Sequence, residues 1–559
     1  MSRIYYNGRI VTVEGGSAEE MLENEPEAVL VENGIITAVG SLDDCIDASP
    51  GTEETDLEGK CLMPSFIDPH GHFVMNGQMS LCAYLGNCES YDDIISVLKG
   101  YIRENKITSK DAVMGFGYDH NFLKEYEESG YGQPDKRVLD QVSTEIPIMI
   151  LHVSGHLACV NSAMFKLAGV DRDTPDPSGG VIGRIEGTNE PSGYLEEGGM
   201  RPFSSLIGKR MKVDIPAMMS HMQDSYLENG VTTVQDGGSG KQDIDTLKMM
   251  SKEHLLKIDV VAYPIMPDGG TDIMKEDGEK YKDYRNHFKI GGYKLILDGS
   301  PQGRSAWMSE PYFGGEEGYC GYPWMQDDAV ERFVQQAYEE KKQLLVHCNG
   351  DAASEQCLNA YEKAVNKAVE ACGCAEDLRP VMIHCQTVRN DQLDRMAKLK
   401  MIASIFVGHV WYWGDVHMKN FGEKRGSRIS PVKDALDRGL VVNFHQDSPV
   451  TKPDMLHSIW CAVNRVSRSG KTIGSDQKVS VFDAVKAATL GGAYEYFEEN
   501  SKGSIKAGKR ADLVILDKSP FDVEPEEIKD IEVLETIKDG ETVYERKAVN
   551  TEGRCMNAK

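Results

Sequence analysis

From Val231 to Asp447 the chain repeats one alternation: a short apolar run rich in β-branched residues, then a stretch with apolar residues at helical spacing. The runs are VTTVQD (231–236), IDVVAYPI (258–265), GYKLILDG (292–299), QLLVHCNG (343–350), PVMIHCQ (380–386), MIASIFV (401–407) and LVVNFHQD (440–447), and an earlier one ends at Asp68. Parallel neighbours in a sheet need a crossover long enough to hold a helix, so this alternation argues for βα units. Eight such strands predict an α/β fold of the (β/α)8 TIM-barrel type. The much longer interval between His72 and Val231 must hold an insertion, which we place at 80–215.

The two ends of the chain look alike. IYYNGRIVTV and AVLVENGIITAVG carry short strands with Asn33-Gly34 as a hairpin turn, and the stretch around ADLVILD and EVLETIKDGETVYE does the same with an Asp-Gly turn. We therefore expect a composite small β domain, a β-sandwich, from 1–61 and 500–559, with the barrel at 62–499. The 61 basic against 89 acidic residues give a net charge of −28. No basic stripe is present to neutralise phosphates, which excludes nucleic acid, and no polybasic cluster favours a membrane. Arg3, Asn7 and Arg9 interrupt the N-terminal apolar pattern, and no apolar run approaches a membrane span. The expected location is cytoplasmic and the expected partner a small-molecule substrate. The assembly state, with a homodimer as the option considered, is left open. Thirteen irregularly spaced cysteines argue for reduced thiols, Cys372 and Cys374 being the one close pair.

Chemistry concentrates at the strand ends. His70 and His72 lie two apart where a strand ends, so both imidazoles project to one side. His347, His384 and Asp447 each terminate a later apolar run. Strand carboxyl ends converge on one face of a barrel, and imidazole with carboxylate suits a catalytic zinc. Lys294, inside GYKLILDG, is costly to bury unless paired, with Asp298 as one partner. The GGSG at 237–240 lacks a phosphate-loop lysine and reads as a turn.

The chain resembles the amidohydrolase superfamily, in its branch of YtcJ-like and N-substituted formamide deformylase-like metal-dependent hydrolases, the amidohydrolase 3 type. The resemblance rests on LMPSFIDPHGHF, SGHLACVNSAMF, KLILDGSPQGRSA, LLVHCNGDAA, VMIHC, HQDSPV and GSIKAGKRADLVIL. It implies a hydrolase of carbon–nitrogen bonds other than peptide bonds, holding two divalent metal ions, zinc being expected. His70 and His72 would hold one ion and His347 and His384 the other, with Lys294, carboxylated by carbon dioxide, bridging both. Asp447 would ligate and shuttle the proton as a metal-bound hydroxide attacks. Expected substrates are amides or N-acyl and N-formyl compounds with an apolar or aromatic part. A deaminase, a cyclic-amide hydrolase and a non-catalytic scaffold are the rival readings. Relatives carry Gly-Ser-Asp where this chain has His445-Gln446-Asp447. His156, Arg304, His409, Trp413 and His445 are the expected substrate contacts, and aromatic residues after the strands are expected to line the mouth.

Overall fold

The structure, a computed structural model, describes residues 2–125, 133–177, 179–212, 214–314 and 316–547. Eight parallel strands carry the alternation seen in the sequence. They are β1 (Phe66–Asp68), β2 (Val231–Ser239), β3 (Asp259–Pro264), β4 (Gly292–Ile296), β5 (Gln343–Cys348), β6 (Val381–His384), β7 (Ile402–Ile405) and β8 (Val442–Phe444). One sheet orders β1, β2, β3 and the short strand Phe288–Ile290, and a second orders β4 through β8. A parallel bridge between Ile265 and Lys294 joins β3 to β4. At the other margin the Asp447 amide donates to the His70 carbonyl at 3.0 Å and the His72 amide to the Ser448 carbonyl at 2.8 Å. The backbones that follow β8 and β1 are thus hydrogen-bonded to each other. Apolar runs rather than alternating ones suit these strands, because helices cover the sheets: Leu344, Leu345 and Val346 of β5 are all fully buried. In the covering helix Asp327–Glu339, Val330, Val334, Ala337 and Tyr338 face inward at helical spacing.

Both chain ends enter one five-stranded sheet, in the order Arg9–Ile10, Cys61–Pro64, Leu513–Leu516, Val533–Lys538, Glu541–Glu545. A four-stranded sheet of 2–56 lies beside it, and Tyr5, Val29 and Ile36 from one share a buried cluster with Leu62, Leu513 and Ile537 from the other. Asn33-Gly34 and Asp539-Gly540 both have the paired positive φ values, 50° and 81°, 49° and 77°, of two-residue hairpins. Ser65 alone separates the strand Cys61–Pro64 from β1. Residues 548–559 of the expected small domain, and the Cys372 side chain of the Cys372–Cys374 pair, lie outside the described residues; the cysteines described are free thiols.

Between β1 and β2 stands a six-stranded mixed sheet whose strands run from Ala83–Tyr84 to Pro191–Glu197. The glycine-rich stretch after Pro177 is a hairpin of Gly180–Arg184 against Pro191–Glu197, and Gly180 and Gly199 sit where a Cβ would strike backbone atoms of the facing segment. The GGSG stretch is a correction: Gly237 to Ser239 continue β2 instead of turning. The reason is space, since a Cβ on Gly237 would stand 2.5 Å from the Nδ1 of His70. Among the described residues no helix is long and apolar enough to cross a membrane.

Candidate metal centre

The carboxyl ends of the parallel strands bring His70, His72, Lys294, His347, His384 and Asp447 into one buried group. His70 and His72 follow β1, and His72 occupies the N-cap of the helix Phe73–Met79 without its side chain capping it. Its Nε2 instead stands 3.2 Å from Asp447 Oδ1, with His70 Nε2 at 3.4 Å from the same oxygen and His384 Nε2 at 4.0 Å from Oδ2. Lys294 Nζ lies 3.3 Å from His70 Nε2, and the rings of His347 and His384 meet edge to face at 4.5 Å. His384 and Asp447 have φ values of 73° and 54°, a left-handed backbone that costs ~1–3 kcal/mol for residues other than glycine. Such strain turns both side chains inward from the strand ends.

The far ring nitrogens of His70, His347 and His384 are each engaged. His70 Nδ1 is 2.7 Å from Gln235 Oε1, which can only accept, so this nitrogen carries the hydrogen and Nε2 presents its lone pair to the group. His347 Nδ1 likewise meets Asp298 Oδ1 at 3.2 Å. His384 Nδ1 lies 3.1 Å from His445 Nε2, and His445 Nδ1 is 2.9 Å from Ser404 Oγ. One tautomer set satisfies this chain and frees His384 Nε2: His384 donates to His445, which donates to Ser404. An imidazole whose distal N–H is held by an acceptor is the arrangement metal-ligating histidines adopt.

Burial pushes the His70 and His384 imidazoles well below their ordinary range and lowers His347 too, so all three are neutral. Burial also pushes the Lys294 ammonium down to about 7. The alternative for Lys294, an ion pair with Asp298 or a neighbouring carboxylate, is not made: Asp298 accepts from the amides of Asn349 and Gly350, and among the described residues no carboxylate stands within 4 Å of Lys294 Nζ. The buried Glu495 carboxyl nearby is itself pushed up to about 8 by burial. Asp447 faces three imidazoles, those of His70, His72 and His384. Its Oδ1 is buried and accepts no hydrogen bond of good geometry. Imidazoles converging on an unpartnered carboxylate oxygen fit a divalent cation, and His70, His72 and Asp447 offer ligand atoms all within 4.8 Å of one another.

Of the expected substrate contacts, His156 comes to this group: its ring is 5.4 Å from that of His347, and its Nδ1 bonds Glu197 at 2.9 Å. His445 stands behind His384. Arg304 is engaged by Asn420 at 2.9 Å and by the Gly314 carbonyl at 3.2 Å. His409 is buried between Phe406 and Trp413 and bonds His417 at 2.9 Å, and the Trp413 indole donates to Asp119 at 2.7 Å. Phe73 and Tyr312 are likewise buried in packing. Sequence reasoning missed Gln235, Glu197 and the Asp298 contact to His347; only Asp298, ending an apolar run, carried a signal of the kind used for the others.

The model of the amidohydrolase family matches residues 53–544. YtcJ of Bacillus subtilis (strain 168) is 28% identical over 553 residues, covering 95% of this chain and 99% of its own. The N-substituted formamide deformylase of Arthrobacter pascens is 25% identical, covering 93% and 95%. An uncharacterized metal-dependent hydrolase from Pyrococcus horikoshii OT3 shares the fold, with a TM-score of 0.72 at 23% identity over 94% of this chain and 99% of that one. With the strand-end histidines inside a match that spans most of its length, the chain belongs to the amidohydrolase family and is a hydrolase of carbon–nitrogen bonds.

Proposed function

We propose that this protein hydrolyses the carbon–nitrogen bond of a small amide or of an N-acyl or N-formyl compound, at a divalent-metal centre inside a closed (β/α)8 barrel flanked by a composite β-sandwich. The observation that carries the reading is the convergence of His70 and His72 on the buried, unpartnered Oδ1 of Asp447. His70, His72 and Asp447 would hold one ion and His347 and His384 a second. Lys294, whose ammonium burial brings down to about 7, is partly the free amine at neutral pH and would be suited to take up carbon dioxide as a carbamate between them. Bound ions of this kind act as Lewis acids and make a water nucleophilic at neutral pH. The chain's own part is to place the proton carrier: the Asp447 carboxylate, facing the His70 and His72 side through Oδ1, takes the attacking water's proton at Oδ2 and passes it to the departing nitrogen. His445 fixes the His384 ring, and His156, held by Glu197, faces the bound acyl group. The similarity to the N-substituted formamide deformylase, along nearly its whole length, supports the N-formyl end of this range.

The test is turnover by zinc-loaded protein of a panel of N-formyl, N-acyl and cyclic amides, paired as benzyl and methyl analogues. Hydrolysis of open-chain amides is expected, with a benzyl preference of at least ~10-fold, since one methylene in an apolar pocket is worth ~1–3 kcal/mol. Ammonia release from an aminated heterocycle instead would establish the deaminase reading, and no turnover of any member would overturn the proposal.

A further inference from the structure

Asn349, two residues past His347 at the end of β5, has every polar group but one engaged. Its backbone N–H donates to Asp298 Oδ1 at 3.0 Å, in the segment that follows β4. Its carbonyl accepts from the Thr387 hydroxyl at 2.7 Å and the Thr387 amide at 3.2 Å, in the segment that follows β6. Its side-chain nitrogen donates to the Gly299 carbonyl at 2.9 Å. A carbonyl only accepts, so this last bond fixes which way the side-chain amide points; the reverse orientation would set two oxygens against each other. Oδ1 is thereby left as a buried acceptor with no donor among the described residues, on a side chain whose residue is 4% exposed. A buried acceptor left unpaired is costly, and here three neighbouring strand ends hold it in place.

This oxygen stands at the edge of the catalytic group. Nδ2 of the same amide lies 3.3 Å from His347 Nε2, longer than the usual hydrogen bond, so the side chain borders the ring nitrogen that Asp298 leaves free. An amide whose carbonyl carbon is attacked at this group carries its nitrogen one bond away. Where that nitrogen bears hydrogen, it needs an acceptor in the dry site.

We propose, resting on the hydrolase reading above, that Asn349 is a specificity-determining residue: its Oδ1 accepts the N–H of the amide that is cleaved. The substrate class is thereby narrowed to amides with hydrogen on the scissile nitrogen, and esters and N,N-disubstituted amides forgo the contact. Because backbone and side chain are already anchored, little ordering is needed when the substrate binds. A site built to hydrogen-bond a substrate N–H rejects an analogue lacking it more sharply than an apolar pocket rejects a missing methylene, since its own buried group is then stranded.

The experiment crosses two proteins with two substrates. kcat/KM is measured for an N-monosubstituted formamide and for the formate ester of the same organic group, on zinc-loaded full-length wild type and on Asn349→Ala, with bound zinc and circular dichroism recorded beside the rates. Comparing each substrate between the proteins cancels its intrinsic reactivity. The amide is expected to fall by at least ~10-fold and the ester by no more than ~2-fold. Equal losses on both overturn the proposal and mark Oδ1 as a support of structure or of the metal. Should Asn349→Ala fail to fold, wild type decides with the N-methylated formamide: a rate at least ~10-fold below that of the N–H amide supports the contact, and equal rates overturn it. Turnover of neither amide nor ester by wild type overturns the hydrolase reading and this one with it, whereas turnover of both in a ratio that the substitution leaves unmoved overturns this one alone.

Discussion

Asp447 turns two oxygens toward three imidazoles at once, and its left-handed backbone is the cost of that aim. Asn in its place preserves shape and tolerates that backbone, but cannot carry a proton. Asp447→Asn is expected to keep its circular dichroism and lose ~10²–10⁴-fold in kcat, the usual value of a positioned acid–base group; a variant retaining more than about a tenth of the activity would refute the proton-carrier role. At this scale the sequence is legible wherever a residue ends an apolar run, because strand direction alone then fixes where its side chain goes. His445 shows the limit: alternation gives its face of the strand, but not that Ser404 on β7 and His384 on β6 occupy both its nitrogens. Trp413 shows it again, since its partner Asp119 lies 294 positions away.

The strands emerge from the sequence nearly intact, because a parallel sheet covered by helices demands continuous apolar runs and little else can satisfy them. What does not emerge is how far a strand continues when its residues are glycines. β2 runs through Gly237 and Gly238 so that the rings of His70 and His72 can lie against bare backbone. Gly237→Ala is therefore expected to tip the His70 ring away from Gln235 and Asp447, with overpacking of ~1–3 kcal/mol and loss of bound metal. Zinc content and melting temperature together check this. A variant with wild-type zinc and an unchanged midpoint would show that the ring has room to spare.

Across the molecule, the sheets are locked to one another by charge. Asp259 at the start of β3 is fully buried and meets Lys538 of the end-built sheet at 2.9 Å, His287 at 2.7 Å, and Lys502. Burial pushes the Asp259 carboxyl up, but Lys502 and Lys538 outweigh it and hold it well below the usual range. For Lys538 burial again opposes, and Asp259 and Asp512 raise it. A depressed carboxyl contributes stability above its unfolded value of ~4 and loses it as pH falls through the folded one, whereas a raised lysine contributes below ~10.4 and loses it as pH rises further. The melting temperature should thus hold between these limits and fall on acidification. Asp259→Asn, which leaves buried lysines unpaired, is expected to cost ~3–5 kcal/mol near neutrality. Its deficit against wild type should shrink in acid, and a deficit independent of pH would refute the assignment. The paired ends were legible because both carry hairpin turns of the same kind; the lock was not, since lysines and aspartates on separate elements give no local sign of meeting.

The sheet built from both ends has a consequence for the order of synthesis. Cys61–Pro64 leaves the ribosome about 450 residues before its neighbour Leu513–Leu516. At ~5–20 residues per second the early strand waits tens of seconds with one edge bare. Only Ser65 separates it from β1, so the strand that sets His70 and His72 is anchored to a sheet completed much later. The nascent chain therefore holds His70 and His72 on an unfinished footing until Leu513–Leu516 has been made.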